Sequence, residues 1–250
     1  TDAGGTTWSK VATSETEPPA GCTTCKLVYD SDRDRIIYFN AVIWEWDPAS
    51  NVWTSLLQTP RPPDALAAGI AYDSARGRVV IFGGAPPYGV SNETWEWDGT
   101  AKEWFQRNPS VVPPPARSPV MAFDPVRKLT VMVTRTINED ATWEWDGSNW
   151  KERVPIGGDT PAALRSMEWD SVHKRIIGIS EHSLAIAGSG ELKVWEWNPT
   201  SGKWTRLSYG CTPTLRNGGA VAYLAGKDQV IHFGGELTTG SNTQELWGWA

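Results

Sequence analysis

The chain has 250 residues, enough for one large all-β domain or two smaller ones, with 23 Lys and Arg against 29 Asp and Glu and a formal net charge of −6. Charges of both signs are interspersed, so the basic stripe of a nucleic-acid binder is missing and no nucleic-acid partner is expected. No apolar run reaches the roughly 20 residues of a membrane span, no basic-then-apolar leader opens the chain, and no membrane association is expected.

Taken in order, the chain opens with Asp2-Ala3-Gly4-Gly5-Thr6-Thr7-Trp8, a turn followed by a strand that lacks its predecessors. Cys22 and Cys25 precede a first full repeat. There Leu27-Val28-Tyr29 predicts a strand, Asp30-Ser31-Asp32 a turn, Trp44-Glu45-Trp46-Asp47 a third strand and Trp53 a fourth. The second repeat shows the unit most fully. The small apolar stretch Ala67–Tyr72 predicts an inner strand, Asp73–Arg78 a turn, and Val79-Val80-Ile81-Phe82 a buried strand closed by Gly83-Gly84. Trp95-Glu96-Trp97-Asp98 predicts the third strand, Asp98-Gly99 its turn, and Trp104-Phe105 the fourth strand. The same plan returns around Trp143-Glu144-Trp145-Asp146 and Trp195-Glu196-Trp197-Asn198, and ends at Trp247-Gly248-Trp249-Ala250.

Successive first tryptophans of this motif lie 51, 48, 52 and 52 residues apart, the spacing of a propeller blade. An aromatic closes each first strand (Tyr29, Tyr72, Phe123, Trp169, Tyr223), and the fourth-strand tryptophan recurs as Trp53, Trp104, Trp150 and Trp204. The missing member of that column is supplied by Trp8 if the chain's start joins its end. The expected fold is therefore all-β: a single five-bladed β-propeller of four-stranded antiparallel blades. An N-terminal outer strand would join the three C-terminal strands to close the ring. Blades are expected at about 12–55, 56–107, 108–154, 155–207, and 208–250 with 1–11.

A glycine pair after the second strand (Gly83-Gly84, Gly234-Gly235), then an aromatic, then Trp seven residues on (Trp97 to Trp104, Trp46 to Trp53) resembles the Kelch-repeat β-propeller family, to which the propeller of galactose oxidase belongs. The resemblance spans the whole chain. It departs from the family where the first, third and fourth blades lack the glycine pair and where Trp replaces the usual Tyr. It implies a propeller that serves recognition. The copper-radical chemistry of galactose oxidase needs a Cys–Tyr crosslink beside histidine ligands, for which no motif is visible.

In Trp-Glu-Trp the two indoles share one face of the strand and the glutamate takes the other, so the indoles are expected in the seams between blades. Glu45, Glu96, Glu144 and Glu196 form either an acidic ring or, as expected here, acceptors for neighbouring backbone amides. Asp30-Ser31-Asp32-Arg33-Asp34 aligns with plain turns and lacks the glycine and distal glutamate of a calcium loop. His173, His182 and His232 fall at non-equivalent places, so no metal site and no cofactor are expected. With three cysteines, Cys211 is placed to bridge to Cys22 or Cys25 across the closing seam, or all three stay unlinked.

Two columns of the inner strands carry charge among small residues: Lys26 in one and Glu168 in the other, both candidates for the axial channel. The long loops, which join second to third strands (Ala85–Asn92, Thr134–Ala141, Glu181–Leu192, Glu236–Gln244), share one face with the proline-rich inter-blade loops. At that mouth Arg117, Arg165, Arg216 and Asn217 stand at the inner-strand entrances, with Tyr88 and His182 on the loops. The expected role is a non-catalytic recognition module, monomeric and extracellular or secreted, that binds a protein or carbohydrate ligand there. A carbohydrate-active enzyme or enzyme-associated domain, and a structural unit of an extracellular repeat array, are the alternatives.

Overall fold

The computed structural model describes residues 17–18, 26–40, 42–63, 67–86, 89–135, 140–153, 161, 164–183, 190–207, 216–217, 220–233, 236–237 and 246–249. Blade 1 is formed by β1 (Lys26–Asp30), β2 (Arg35–Asn40), β3 (Val42–Asp47) and β4 (Val52–Leu56). Blade 2 follows with β5 (Gly69–Asp73), β6 (Arg78–Phe82), β7 (Thr94–Asp98) and β8 (Glu103–Arg107). Blade 3 has β9 (Val120–Asp124), β10 (Leu129–Arg135), β11 (Asp140–Trp145) and β12 (Trp150–Arg153). Blade 4 has β13 (Leu164–Asp170), β14 (Arg175–Ser183), β15 (Gly190–Asn198) and β16 (Lys203–Arg206). In blade 5, β17 (Arg216–Asn217) leads into β18 (Ala220–Leu224), then come β19 (Gln229–Phe233), β20 (Glu236–Leu237) and β21 (Leu246–Trp249).

Each of the first four blades is a four-stranded antiparallel sheet, and β18-β19-β21 is a three-stranded fifth, with the β17–β20 pair continuing its first hairpin. The inner strands stand side by side around the axis: β1 beside β5, β5 beside β9, β9 beside β13, and β13 beside β18. This is the five-bladed propeller that the fifty-residue repeat predicts. The closing strand at Trp8 and the cysteines Cys22, Cys25 and Cys211 lie outside the described residues.

The core is a set of seams, each joining two unlike faces. Ile37, Phe39 and Ile43 of blade 1 pack against Ile70, Trp95, Trp97 and Trp104 of blade 2. Val80 and Phe82 of blade 2 then meet Met121, Trp143, Trp145 and Trp150 of blade 3, and Val120, Val131 and Val133 of blade 3 meet Met167, Trp195, Trp197 and Trp204 of blade 4. The indoles of third and fourth strands stack in pairs, with centroids 5.2 Å apart for Trp97–Trp104 and Trp145–Trp150 and 5.3 Å for Trp197–Trp204. Burying one such indole contributes on the order of 4 to 5 kcal/mol of transfer free energy as an upper figure. The indoles therefore fill seams, as their period predicts.

The face that blade 1 turns toward blade 5 is looser. Leu27 and Tyr29 are 61% and 55% exposed, whereas Ile70 and Met121 in the same column are buried. On blade 5 Ala222 pairs with Ile231 and Ile231 with Gly248, so a glycine stands where the other blades carry the Trp-Glu-Trp glutamate.

The glycine pair has a backbone cause. Gly83 and Gly84 adopt φ of 70° and 96°, and their amides bond to the Glu93 and Ala116 carbonyls, which fastens the blade-2 loop to the entry of blade 3. A Cβ on Gly83 would lie 2.6 Å from the Ala116 oxygen, an immovable backbone atom. Gly83→Ala is expected to cost about 2–4 kcal/mol through strain and clash together, measured as a lowered midpoint in urea. Gly89→Ala, at φ 125° with open space around it, isolates the strain contribution.

Candidate functional site

The repeated polar residues form a clasp in each of the first four blades. The first strand ends in a buried aspartate whose Oδ1 accepts the amides of its own turn, as Asp73 does from Ala75 at 3.0 Å and Arg76 at 3.1 Å. Its Oδ2 accepts from the turn arginine, Arg76 Nε at 2.7 Å, and the same guanidinium reaches Glu96 Oε1 at 2.7 Å. Blade 1 repeats this with Asp30, Arg33 and Glu45, and blade 3 with Asp124, Arg127 and Glu144. In blade 4 His173 occupies the arginine position, and Arg175 takes over, with Nε 2.9 Å from Asp170 and Nη1 3.1 Å from Glu196.

The clasps also tie blade to blade. Glu96 accepts from the Trp145 indole of blade 3 at 2.9 Å, and Glu45 accepts from Trp97 of blade 2 at 3.4 Å and from Lys102. Trp150 and Trp204 donate to Thr94 and Thr142 of the preceding blades, at 2.8 and 3.0 Å. The glutamates thus accept from side chains, not from neighbouring backbone, because the amides beside them are already committed to the strand ladders. Burial opposes ionisation of Glu45, yet its bonds to Arg33 and Lys102 hold it below the usual carboxylate range. These are structural charges, and they make no acidic ring. The glycine of the Asp-Gly turn fits the same scheme: a Cβ on Gly99 would meet the Arg33 guanidinium of blade 1, and one on Gly147 that of Arg76.

Asp170, His173 and Asp228 gather at the seam of blades 4 and 5, with one ligand atom each within 4.8 Å of the others. Their lone pairs are already in use. Asp170 Oδ1 takes the amides of Val172 and His173, while Oδ2 takes the His173 ring and Arg175 Nε. Burial works against ionisation of Asp170, but these donors and Tyr223 outweigh it and hold the carboxyl at about 2. A guanidinium on the shared oxygen disfavours a cation there, so the group serves as a clasp between blades.

At the opposite end lies the mouth. Arg165 stands exposed on β13 at a bulge between Leu164 and Ser166, and Lys26 opens β1. Burial and then the nearby Arg165 guanidinium push the Lys26 amine below its usual range. Arg117 is exposed in the loop before β9. Arg216 and Asn217 form β17, paired with Leu237 and Glu236, which brings them to the long-loop end of blade 5; their side chains lie outside the described residues, as does Tyr88. His182 lies in a strand and not in a loop: Glu181, His182 and Ser183 pair with Leu192, Glu191 and Gly190, so the blade-4 connection is an extended hairpin.

Glu168 faces the interior from β13 with no ionic or hydrogen-bonding partner among the described residues, and burial alone raises its carboxyl to about 7. No ion pair joins it to Lys26 among the described residues; the charge that Lys26 feels is Arg165. Sequence reading missed the clasps, whose signal was an arginine three residues after the first-strand aspartate in blades 1 to 3, recurring with the Trp-Glu-Trp glutamate. No helix among the described residues is long and apolar enough to cross a membrane. Compared with known proteins, the chain matches no protein-family model and no curated relative.

Proposed function

We propose that this propeller is a Kelch-type recognition module that binds a protein or glycan ligand bearing carboxylates at its long-loop mouth. The observation that carries the reading is the placement of two cations at the inner-strand entrances, Lys26 at the start of β1 and exposed Arg165 on β13, near enough for Arg165 to bear on the Lys26 amine. Like charges are held close where an anion is to be received, and a concave mouth supplies the partial desolvation that makes such contacts selective. The repeated Asp, Arg and Glu side chains that might suggest catalysis are engaged in holding blades together. At the mouth, by contrast, the charged side chains differ from blade to blade.

The double variant Arg165→Ala/Arg216→Ala tests this with a ligand from a glycan or peptide screen. Binding is expected to weaken at least tenfold with an unchanged melting temperature. Lost stability with intact binding would show that these arginines serve the fold.

One observation favours a second reading, a carbohydrate-active enzyme: Glu168 is a carboxyl held protonated near neutral pH, as a general acid must be. Hydrolysis of an aryl glycoside by the wild type, abolished in Glu168→Gln, would establish it.

A further inference from the structure

The face opposite the mouth carries the turns between first and second strands, and its exposed residues change character around the ring. At the third turn position blades 1 and 2 have Asp32 and Ala75, while blades 3 and 4 have Val126 and Val172, 63% and 50% exposed. Two residues later the turn enters the left-handed region in every blade: Asp34 (φ 54°), Gly77 (63°), Lys128 (58°), Lys174 (57°) and Asp228 (51°). Glycine meets that backbone without strain, and blade 2 uses it; blades 3 and 4 hold exposed lysines there instead. In blade 5 the buried aspartate of the turn is replaced by Leu224, 38% exposed, followed by exposed Lys227.

These three turns are neighbours. Their strands β9, β13 and β18 stand side by side, and His173 Nδ1 of blade 4 lies 3.5 Å from Asp228 Oδ1 of blade 5. Among the described residues Lys128, Lys174 and Lys227 make no ion pair, whereas Asp228 on the same arc is engaged by Tyr223 at 2.7 Å and by His173. The result is an arc of apolar tips interleaved with three exposed ammonium groups.

We propose that this arc is a second interaction surface, which docks an acidic segment of a partner protein with apolar residues spaced among its carboxylates. Charge complementarity supplies steering and orientation, and Val126, Val172 and Leu224 supply the apolar contact. Valine and leucine tips with no exposed indole or phenyl group among them favour a peptide over a lipid surface, where aromatic side chains anchor best. The surface is at the other end of the channel from Lys26 and Arg165, so the proposal stands independently of the mouth.

The test uses the full chain and a fluorescein-labelled peptide of repeated Glu-Leu-Glu-Glu-Leu, read by anisotropy. A Gln-Leu-Gln-Gln-Leu peptide and vesicles of phosphatidylserine and phosphatidylcholine are the comparisons. The acidic peptide is expected to bind in a salt-sensitive way, at least tenfold more tightly than the Gln peptide. The triple variant Lys128→Glu/Lys174→Glu/Lys227→Glu should weaken it at least tenfold, both in the wild-type chain and in a Lys26→Glu background that removes the mouth's contribution. Lys128→Gly/Lys174→Gly keeps the turns in a backbone that suits them. It should melt no lower than the wild type yet bind at least threefold more weakly, which keeps the test decisive if the triple variant misfolds. No binding of the acidic peptide, equal binding by the variants, or binding to vesicles without binding to peptide would each overturn the proposal.

Discussion

Glu96→Ala is expected to destabilise the propeller by about 3 kcal/mol, the low end for breaking a buried ion pair, because the guanidiniums left behind are only partly buried. Glu96 is fully buried, and both its oxygens are in use. Oε1 accepts from Arg76 and Trp145, and Oε2 accepts from Arg107. Truncation would strand two guanidiniums and a buried indole at the seam of blades 2 and 3. For a chain of this size the loss corresponds to a fall of roughly 10 °C in melting temperature. Glu196, whose side chain is 32% exposed and which bonds to Arg175 alone at 3.1 Å, serves as the internal control. Its replacement should cost about 1 kcal/mol or less, because solvent screens the pair. Equal losses for the two would show that the buried clasp has no special weight.

Glu168→Gln is expected to act in the opposite direction and only at high pH. Burial raises this carboxyl from its ordinary 4.5 to about 7. Between those values the folded chain holds a proton that the unfolded chain releases. Stability is therefore fully present below pH 4.5 and is lost as pH rises through 7. With a discount for channel water, the loss at pH 8 is about 1–3 kcal/mol. The glutamine variant should match the wild type near pH 4.5 and exceed it by that amount at pH 8, in paired urea titrations. A wild-type stability flat from pH 5 to 8 would place Glu168 in open solvent.

The blades were legible in the chain because their signals are local. Trp95 and Trp97 lie on one strand, Trp104 follows seven residues later, and the Asp-Gly and Gly-Gly turns punctuate the unit. Such signals place strands to within a residue or two, as β7 and β8 show. The clasps were not legible because each joins side chains from three elements, as Asp73, Arg76, Glu96 and Trp145 do across 72 positions of sequence. Only geometry reveals that the glutamate opposite the indoles meets the indole of the next blade. His182 was misplaced for a different reason. A polar stretch without alternating apolar residues carries no strand signal, yet β14 and β15 extend as a ladder by backbone bonds alone. The mouth was legible only in part: charged side chains at the strand entrances were visible, but the closeness of Lys26 to Arg165 depends on the ring that brings blade 1 toward blade 4.

The most direct measurement of the recognition claim is an array of neutral glycans and carboxylate-bearing glycans, probed in parallel with the wild type and with Lys26→Glu. Burial weighs on a charge of either sign at this position, so melting temperatures are measured alongside to separate lost binding from lost fold. The predicted result is capture of carboxylate-bearing ligands by the wild type and a loss of at least tenfold in the variant. A blank array, or capture that the variant leaves untouched, would contradict a carboxylate-binding mouth.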